Sequence, residues 1–202
     1  MIRKSKLDEL KGYIEELKTI KMIESETNHQ GFLSIKTIDC LLNNGKTIRR
    51  QKMLKKGQDG SAVLILPLTK EFNTILIVQP RVFTNNSIGV ELPAGYIEEG
   101  ELPSTAALRE LEEETGYIPN KIKSVSHYYQ DQGCSGAYNH SFIAFDCKKV
   151  KEQNLDKDEY IRYFECTYNE ALELIDMEYI NDAGSILLLE KSKVYIKQLQ
   201  KR

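Results

Sequence analysis

Glu110, Glu113 and Glu114 fall close together in ELPAGYIEEGELPSTAALRELEEETGY, the stretch from Glu91 to Tyr117. On a helix the residues at i, i+3 and i+4 share a face, so these three carboxylates converge. Like charges at that spacing destabilise a helix unless a cation sits against them. Oxygen-only donors suit a hard cation that keeps part of its water, which points to Mg²⁺, with Mn²⁺ as a substitute, rather than zinc. Arg109 can reach Glu113 at i+4 and orient it, while Ala106, Ala107, Leu108 and Leu111 offer an apolar face to a core. Taken alone, a Glu-rich helix is more often a solvated face than a metal site.

Several elements must hold this helix. It is predicted between Pro103 and Thr115, with Pro103-Ser104 as its entry and Gly116 as its exit. The apolar runs AVLILPL from Ala62 and TILIVQP from Thr74 read as buried strands, and KSVSHYY, HSFIAFD and YIRYFEC as further strands. Thr167 and Glu170 form a capping-box sequence that opens a helix at about Ala171, and Asp182 can cap a last helix. Near the N-terminus, Leu7, Leu10, Ile14 and Leu17 recur at helical spacing. Two strand-like runs from Phe32 to Leu54 meet at Asn44-Gly45, which suits a tight hairpin turn. Strands interleaved with a few helices, without regular βαβ alternation, predict a mixed α/β sandwich.

The whole chain sets the frame. Its 202 residues suffice for one domain with a full core, and its net charge is −2 with 41% hydrophobic residues. It has no apolar run long enough for a membrane span, so no membrane partner is expected. The N-terminal stretch lacks the apolar region of a signal peptide, and the expected location is the cytoplasm. Cys40, Cys134, Cys147 and Cys166 are scattered and read as reduced thiols. Basic residues form no patch interleaved with aromatics, so a nucleic-acid partner is not expected, whereas small nucleotides remain open.

The order of residues around the three glutamates is more specific than their charge. Gly95, Glu101, Arg109, Glu110, Leu111, Glu113, Glu114, Gly116 and Tyr117 match G-x5-E-x7-R-E-U-x-E-E-x-G-U, U being a bulky apolar residue, at every fixed position. The segment resembles the Nudix hydrolase signature. That resemblance implies an α/β/α sandwich with a mixed sheet, here extended by the N-terminal helix and β-hairpin. It implies metal ligation by Glu110, Glu113, Glu114 and the Ala94 carbonyl, with Glu101 and Arg109 bracing the loop and helix.

From about Phe32 to Leu189 the chain looks like the ADP-ribose pyrophosphatase branch, whose members cleave nucleoside diphosphate sugars. The resemblance implies a homodimer that shares the hairpin, with residues 1–56 serving dimerisation and 57–202 forming the hydrolase domain. Arg81 in QPR and Glu91 in ELPAG match residues that contact the substrate. Glu159 in NLDKDEYIR matches the catalytic carboxylate, with Asp158 as a substitute, and Glu113 joins it as a catalytic residue. The implied activity is Mg²⁺-dependent hydrolysis of ADP-ribose to AMP and ribose 5-phosphate. Another nucleotide sugar or a dinucleotide is the alternative substrate, and a non-catalytic nucleotide sensor the alternative role. One departure bears on substrate choice, since Gln132 stands before Gly133 where the branch carries proline. Tyr128, Tyr129 and Tyr138 are open to stacking on a base or packing in a core, and packing is the commoner fate.

Overall fold

The computed structural model describes residues 2–17, 31–41 and 47–199, so the Asn44-Gly45 turn lies outside the described residues. Helix α1 (Lys4–Leu17) is followed by β1 (Leu33–Leu41) and β2 (Thr47–Lys55), an antiparallel pair that sets Leu33 opposite Lys55. Next come β3 (Ala62–Pro67), β4 (Asn73–Pro80), β5 (Ile88–Glu91) and β6 (Ala94–Tyr96), then α2 (Pro103–Thr115) and β7 (Tyr117–Ile118). The chain continues through β8 (Lys121–Tyr129), β9 (Tyr138–Phe145), β10 (Lys148–Lys149) and β11 (Arg162–Thr167) into α3 (Tyr168–Asp176) and α4 (Ala183–Leu199). A four-stranded sheet runs β6-β3-β9-β8 and a three-stranded one runs β11-β4-β5. Strands β3 and β9 are parallel and their other partners antiparallel, so the sheet is mixed, as expected.

The continuous apolar run of β3 follows from burial on both faces. Val63 and Ile65 pack with Ala106, Ala107 and Leu111 of α2. Leu64 and Leu66 turn the other way, into a cluster with Leu10 of α1, Leu174 of α3 and Leu188 of α4. Helices therefore cover both sides of the sheet, which is the α/β/α arrangement. Helix α1 covers the core, with Leu10 fully buried. Among the described residues no helix is long and apolar enough to cross a membrane.

Caps fix where the helices begin and end. Helix α2 opens on Pro103, whose missing N–H and fixed φ suit the first turn, and stops at Gly116 with φ 75°. Helix α3 carries the expected capping box: the Thr167 hydroxyl accepts from the Glu170 amide at 3.2 Å, and the Glu170 carboxylate accepts from the Thr167 amide at 2.8 Å. The helix starts at Tyr168, three residues ahead of the sequence expectation, because the box itself occupies its first turn. Glu170 also accepts from Arg3 Nε at 2.9 Å and ties down the N-terminal segment. Burial opposes its charge, but the Arg3 and Thr167 hydrogen bonds outweigh that and hold its pKa at about 2. Asp182 caps α4 as expected, accepting from the amide and hydroxyl of Ser185 at 2.7 and 2.8 Å.

Candidate active site

Strand β6, the loop after it and helix α2 form one rigid unit because Arg109 holds them together. Its guanidinium donates to Glu101 at 3.1 and 3.0 Å and to the Tyr96 carbonyl at 3.1 Å. The same group donates to Glu110 at 2.8 Å and to Glu113 at 3.1 Å. Arg109 thus spans the loop and orders two of the three acidic side chains on the helix. Glu114 turns instead to the backbone of β6, accepting from the Ala94 amide at 3.0 Å. Gly95 is required at its position: a Cβ there would fall on the Glu110 carboxylate.

Two of these carboxylates are buried, Glu114 with 2% and Glu110 with 8% of its surface exposed. Burial is the main reason that the Glu110 pKa rises to about 7, with Arg109 pulling the other way. Burial likewise pushes the Glu114 carboxyl well above the ordinary range, and the neighbouring charge of Glu110 adds to it. Arg109 reaches Glu110 and leaves Glu114 to a backbone amide, so these two buried carboxyl groups lack positive charge. The donor set fits a hard divalent cation for that reason. Among the described residues no group of three donors is already closed around one point. Mg²⁺ does not need such a cage, since it binds through one or two carboxylates together with waters and substrate phosphates.

The same carboxylates line a cleft of about 720 Å³. It also gathers Arg81, Glu91, Ala94 and Glu159, so the expected metal, substrate and catalytic residues reach one cavity, the substitute Asp158 excepted. Arg81 donates to both carboxylate oxygens of Glu91, at 2.7 and 2.6 Å, in a bidentate pair at the ends of β4 and β5. Gly89 is bare where a Cβ would collide with that pair.

Glu159 arrives from a loop anchored on the end of α2. The Asn154 amide donates to the Glu113 carbonyl at 2.9 Å, and the Gln153 side chain to the Glu114 carbonyl at 2.6 Å. Within that loop the Glu159 carboxylate accepts from the Asp156 amide at 3.0 Å, and its charge adds to the upward shifts of Glu110 and Glu114. Asp158 is exposed and does not line the cleft.

Of the three tyrosines, Tyr128 lines the cleft while also packing on the core. Tyr129 and Tyr138 do neither; they stand exposed with ring centroids 4.8 Å apart. Gln132 lies in an exposed loop that is clipped to the hairpin, the Met53 amide donating to the Cys134 carbonyl at 2.7 Å. Sequence reasoning did not foresee Lys55, Tyr96, Asn139, Asp182 or Gly184 in the cleft. Asp182 carried a signal only as a helix cap, and Lys55, one residue past the expected hairpin, carried none.

Residues 59–189 match the NUDIX domain family. The chain belongs to that family. The Nudix chain is 37% identical over 153 residues to the ADP-ribose pyrophosphatase of Bacillus subtilis (strain 168), covering 75% of this chain and 80% of the relative. It is 32% identical over 180 residues to the methanol dehydrogenase activator of Bacillus methanolicus, covering 89% and 94% respectively. A solved structure described as an ADP compounds hydrolase superposes with a TM-score of 0.72 at 20% identity, covering 92% of this chain and 98% of that one. The protein is a Nudix hydrolase.

Proposed function

We propose that this Nudix hydrolase cleaves the diphosphate linkage of nucleoside diphosphate sugars in the presence of Mg²⁺, with ADP-ribose as its foremost substrate, giving AMP and ribose 5-phosphate. The observation that carries the reading is the cleft itself, where Glu110, Glu113, Glu114 and Glu159 meet the Arg81–Glu91 pair. The similarity to an ADP-ribose pyrophosphatase supports the choice of sugar.

Each residue has a role in that scheme. Glu110, Glu113, Glu114 and the Ala94 carbonyl are the groups that would hold the cation. When bound, the cation supplies neutralisation of the diphosphate charge and acidification of a nearby water. Arg81, fixed by Glu91, presents its guanidinium to a substrate phosphate. Glu159 orients the attacking water and accepts its proton, with Glu113 beside it. The buried walls of the cleft strengthen every one of these charge interactions.

A hydrolysis screen tests the reading across ADP-ribose, other nucleotide sugars, NADH and dinucleoside polyphosphates, each with Mg²⁺ and with chelator. ADP-ribose is expected to give the highest kcat/KM, and chelator to stop product formation. A protein that binds these nucleotides tightly yet releases no monophosphate would be a sensor, and the proposal would fail.

The reading includes a homodimer in which residues 1–56 contribute the contact and 57–202 the hydrolase domain. Leu33, Ile35 and Leu41 support it, because they recur on one face of β1 and are 47%, 62% and 75% exposed. A two-stranded hairpin that presents such a face is marginal alone and gains from a covering partner. Light scattering is expected to report twice the chain mass. A fully active monomer at micromolar concentration would refute the dimer. The cytoplasm is the proposed compartment, supported by four cysteines that all stand as free thiols.

A further inference from the structure

Lys55 stands at the end of β2, where the hairpin meets the cleft, and its side chain is steered by its neighbours. The stem lies across Gly60, where φ is 74° and a Cβ would come within 2.6 Å of Lys55 Cδ. A bare glycine therefore opens the path that delivers the ammonium to the cavity. There Nζ donates to Gln130 Oε1 at 2.8 Å and lies 5.5 Å from the centroid of the Tyr96 ring. Gln130 is itself held, its amide donating to the Ala137 carbonyl at 3.0 Å. Tyr96 follows Gly95, and its backbone carbonyl accepts from Arg109, so the backbone that carries the ring is tied to the acidic unit.

What Lys55 lacks is a counter-ion. Among the described residues no carboxylate pairs with it, whereas Arg81 is engaged by Glu91 and Arg109 by Glu101, Glu110 and Glu113. Its partners, an amide oxygen and an aromatic face, orient an ammonium without neutralising it. Partial burial holds its pKa below the ordinary lysine value. A desolvated cation on the rim of a carboxylate-lined cleft is matched to an anion brought in by the ligand.

We infer that Lys55 is a substrate-binding residue whose ammonium takes a non-bridging oxygen of the diphosphate, held in place by Gln130 and Tyr96. The assignment rests on the hydrolysis proposed above. Because the group recognised is the phosphate, the contribution of Lys55 is the same whichever sugar or base is attached.

Steady-state kinetics of Lys55→Gln on ADP-ribose and on a second nucleotide sugar test this. KM is expected to rise about ten-fold on both, with kcat within about three-fold, as for an interaction equal in ground and transition states. Lys55→Arg should restore most of the loss, and Gln130→Glu should reproduce it by giving the ammonium a carboxylate partner. An unchanged KM, or a rise confined to one sugar, overturns the assignment. Calorimetry with ADP in the absence of metal reads the same contact without turnover, and Lys55→Gln should weaken binding about ten-fold. If the wild type hydrolyses no nucleotide sugar but Lys55-dependent ADP binding persists, the hydrolysis reading falls and with it the substrate role, while the contact of Lys55 with a diphosphate stands. Equal ADP affinity in both proteins sinks it.

Discussion

Glu114→Gln is expected to lower kcat by about 10³-fold or more at saturating Mg²⁺, since cation-based stabilisation is worth several kcal/mol and each ~1.4 kcal/mol is a factor of ten. The variant should nevertheless fold at least as stably. Glu114 is 2% exposed and accepts a hydrogen bond from the Ala94 amide, which the carbonyl oxygen of glutamine can accept equally. The substitution removes a buried negative charge lying beside Glu110 and keeps the shape. Both parts are measurable on one preparation, as kcat against Mg²⁺ concentration and as a melting temperature without metal. Activity within a few-fold of wild type would remove Glu114 from the metal site.

The same carboxylates give that prediction a pH signature. Burial lifts Glu110 from the ordinary 4.5 to about 7 and lifts Glu114 in the same direction. A carboxyl whose folded pKa lies above its unfolded value binds more protons folded than unfolded between the two. Stability of the metal-free protein therefore falls as pH rises from about 4.5 through about 7. A divalent ion competes with those protons, so apparent Mg²⁺ affinity should climb over the same window. Thermal denaturation with and without Mg²⁺ follows both trends. Glu114→Gln should flatten the metal-free curve, and a slope unchanged by the substitution would mean that other groups govern it.

How much of this was legible in the sequence depends on the range of the interactions involved. The α2 helix, its proline entry and glycine exit, and the Thr167 capping box are local, each decided within a few residues, and they stand where expected. The fixed spacing of the Nudix box placed three glutamates on one face for the same reason. Strands β5 and β6 are too short to show a period, and they form only because β4 and β3 lie beside them. The role of Arg109 was half visible. Its reach to Glu113 follows from helix spacing, but its bond to the Tyr96 carbonyl requires the loop to fold back. Lys55 and Asp182 enter the cleft from opposite ends of the chain, and nothing local to either marks a binding residue. The Tyr129–Tyr138 pair fell outside both readings because the end of the sheet leaves them uncovered.

Glu159→Gln is expected to reduce kcat by roughly 10²-fold while KM and Mg²⁺ affinity stay within a few-fold, because a base acts in the chemical step alone. The loop makes this a clean substitution. Glutamine keeps an oxygen for the Asp156 amide, and the anchors from Asn154 and Gln153 to the end of α2 do not involve residue 159. The change in charge is therefore the main thing tested. Asp158→Asn serves as the partner variant, since Asp158 is exposed and outside the cleft, and a surface change of that kind usually stays within about 0.5 kcal/mol. A large fall in kcat for Asp158→Asn alone would move the role to that residue and require the loop to rearrange when substrate binds. If both variants keep full activity, the proton goes elsewhere. Glu91 would not be the first candidate then, because both its oxygens already accept from Arg81, at 2.7 and 2.6 Å. Glu113, more exposed than Glu110 and Glu114 and held by Arg109 through one oxygen, would be the better candidate.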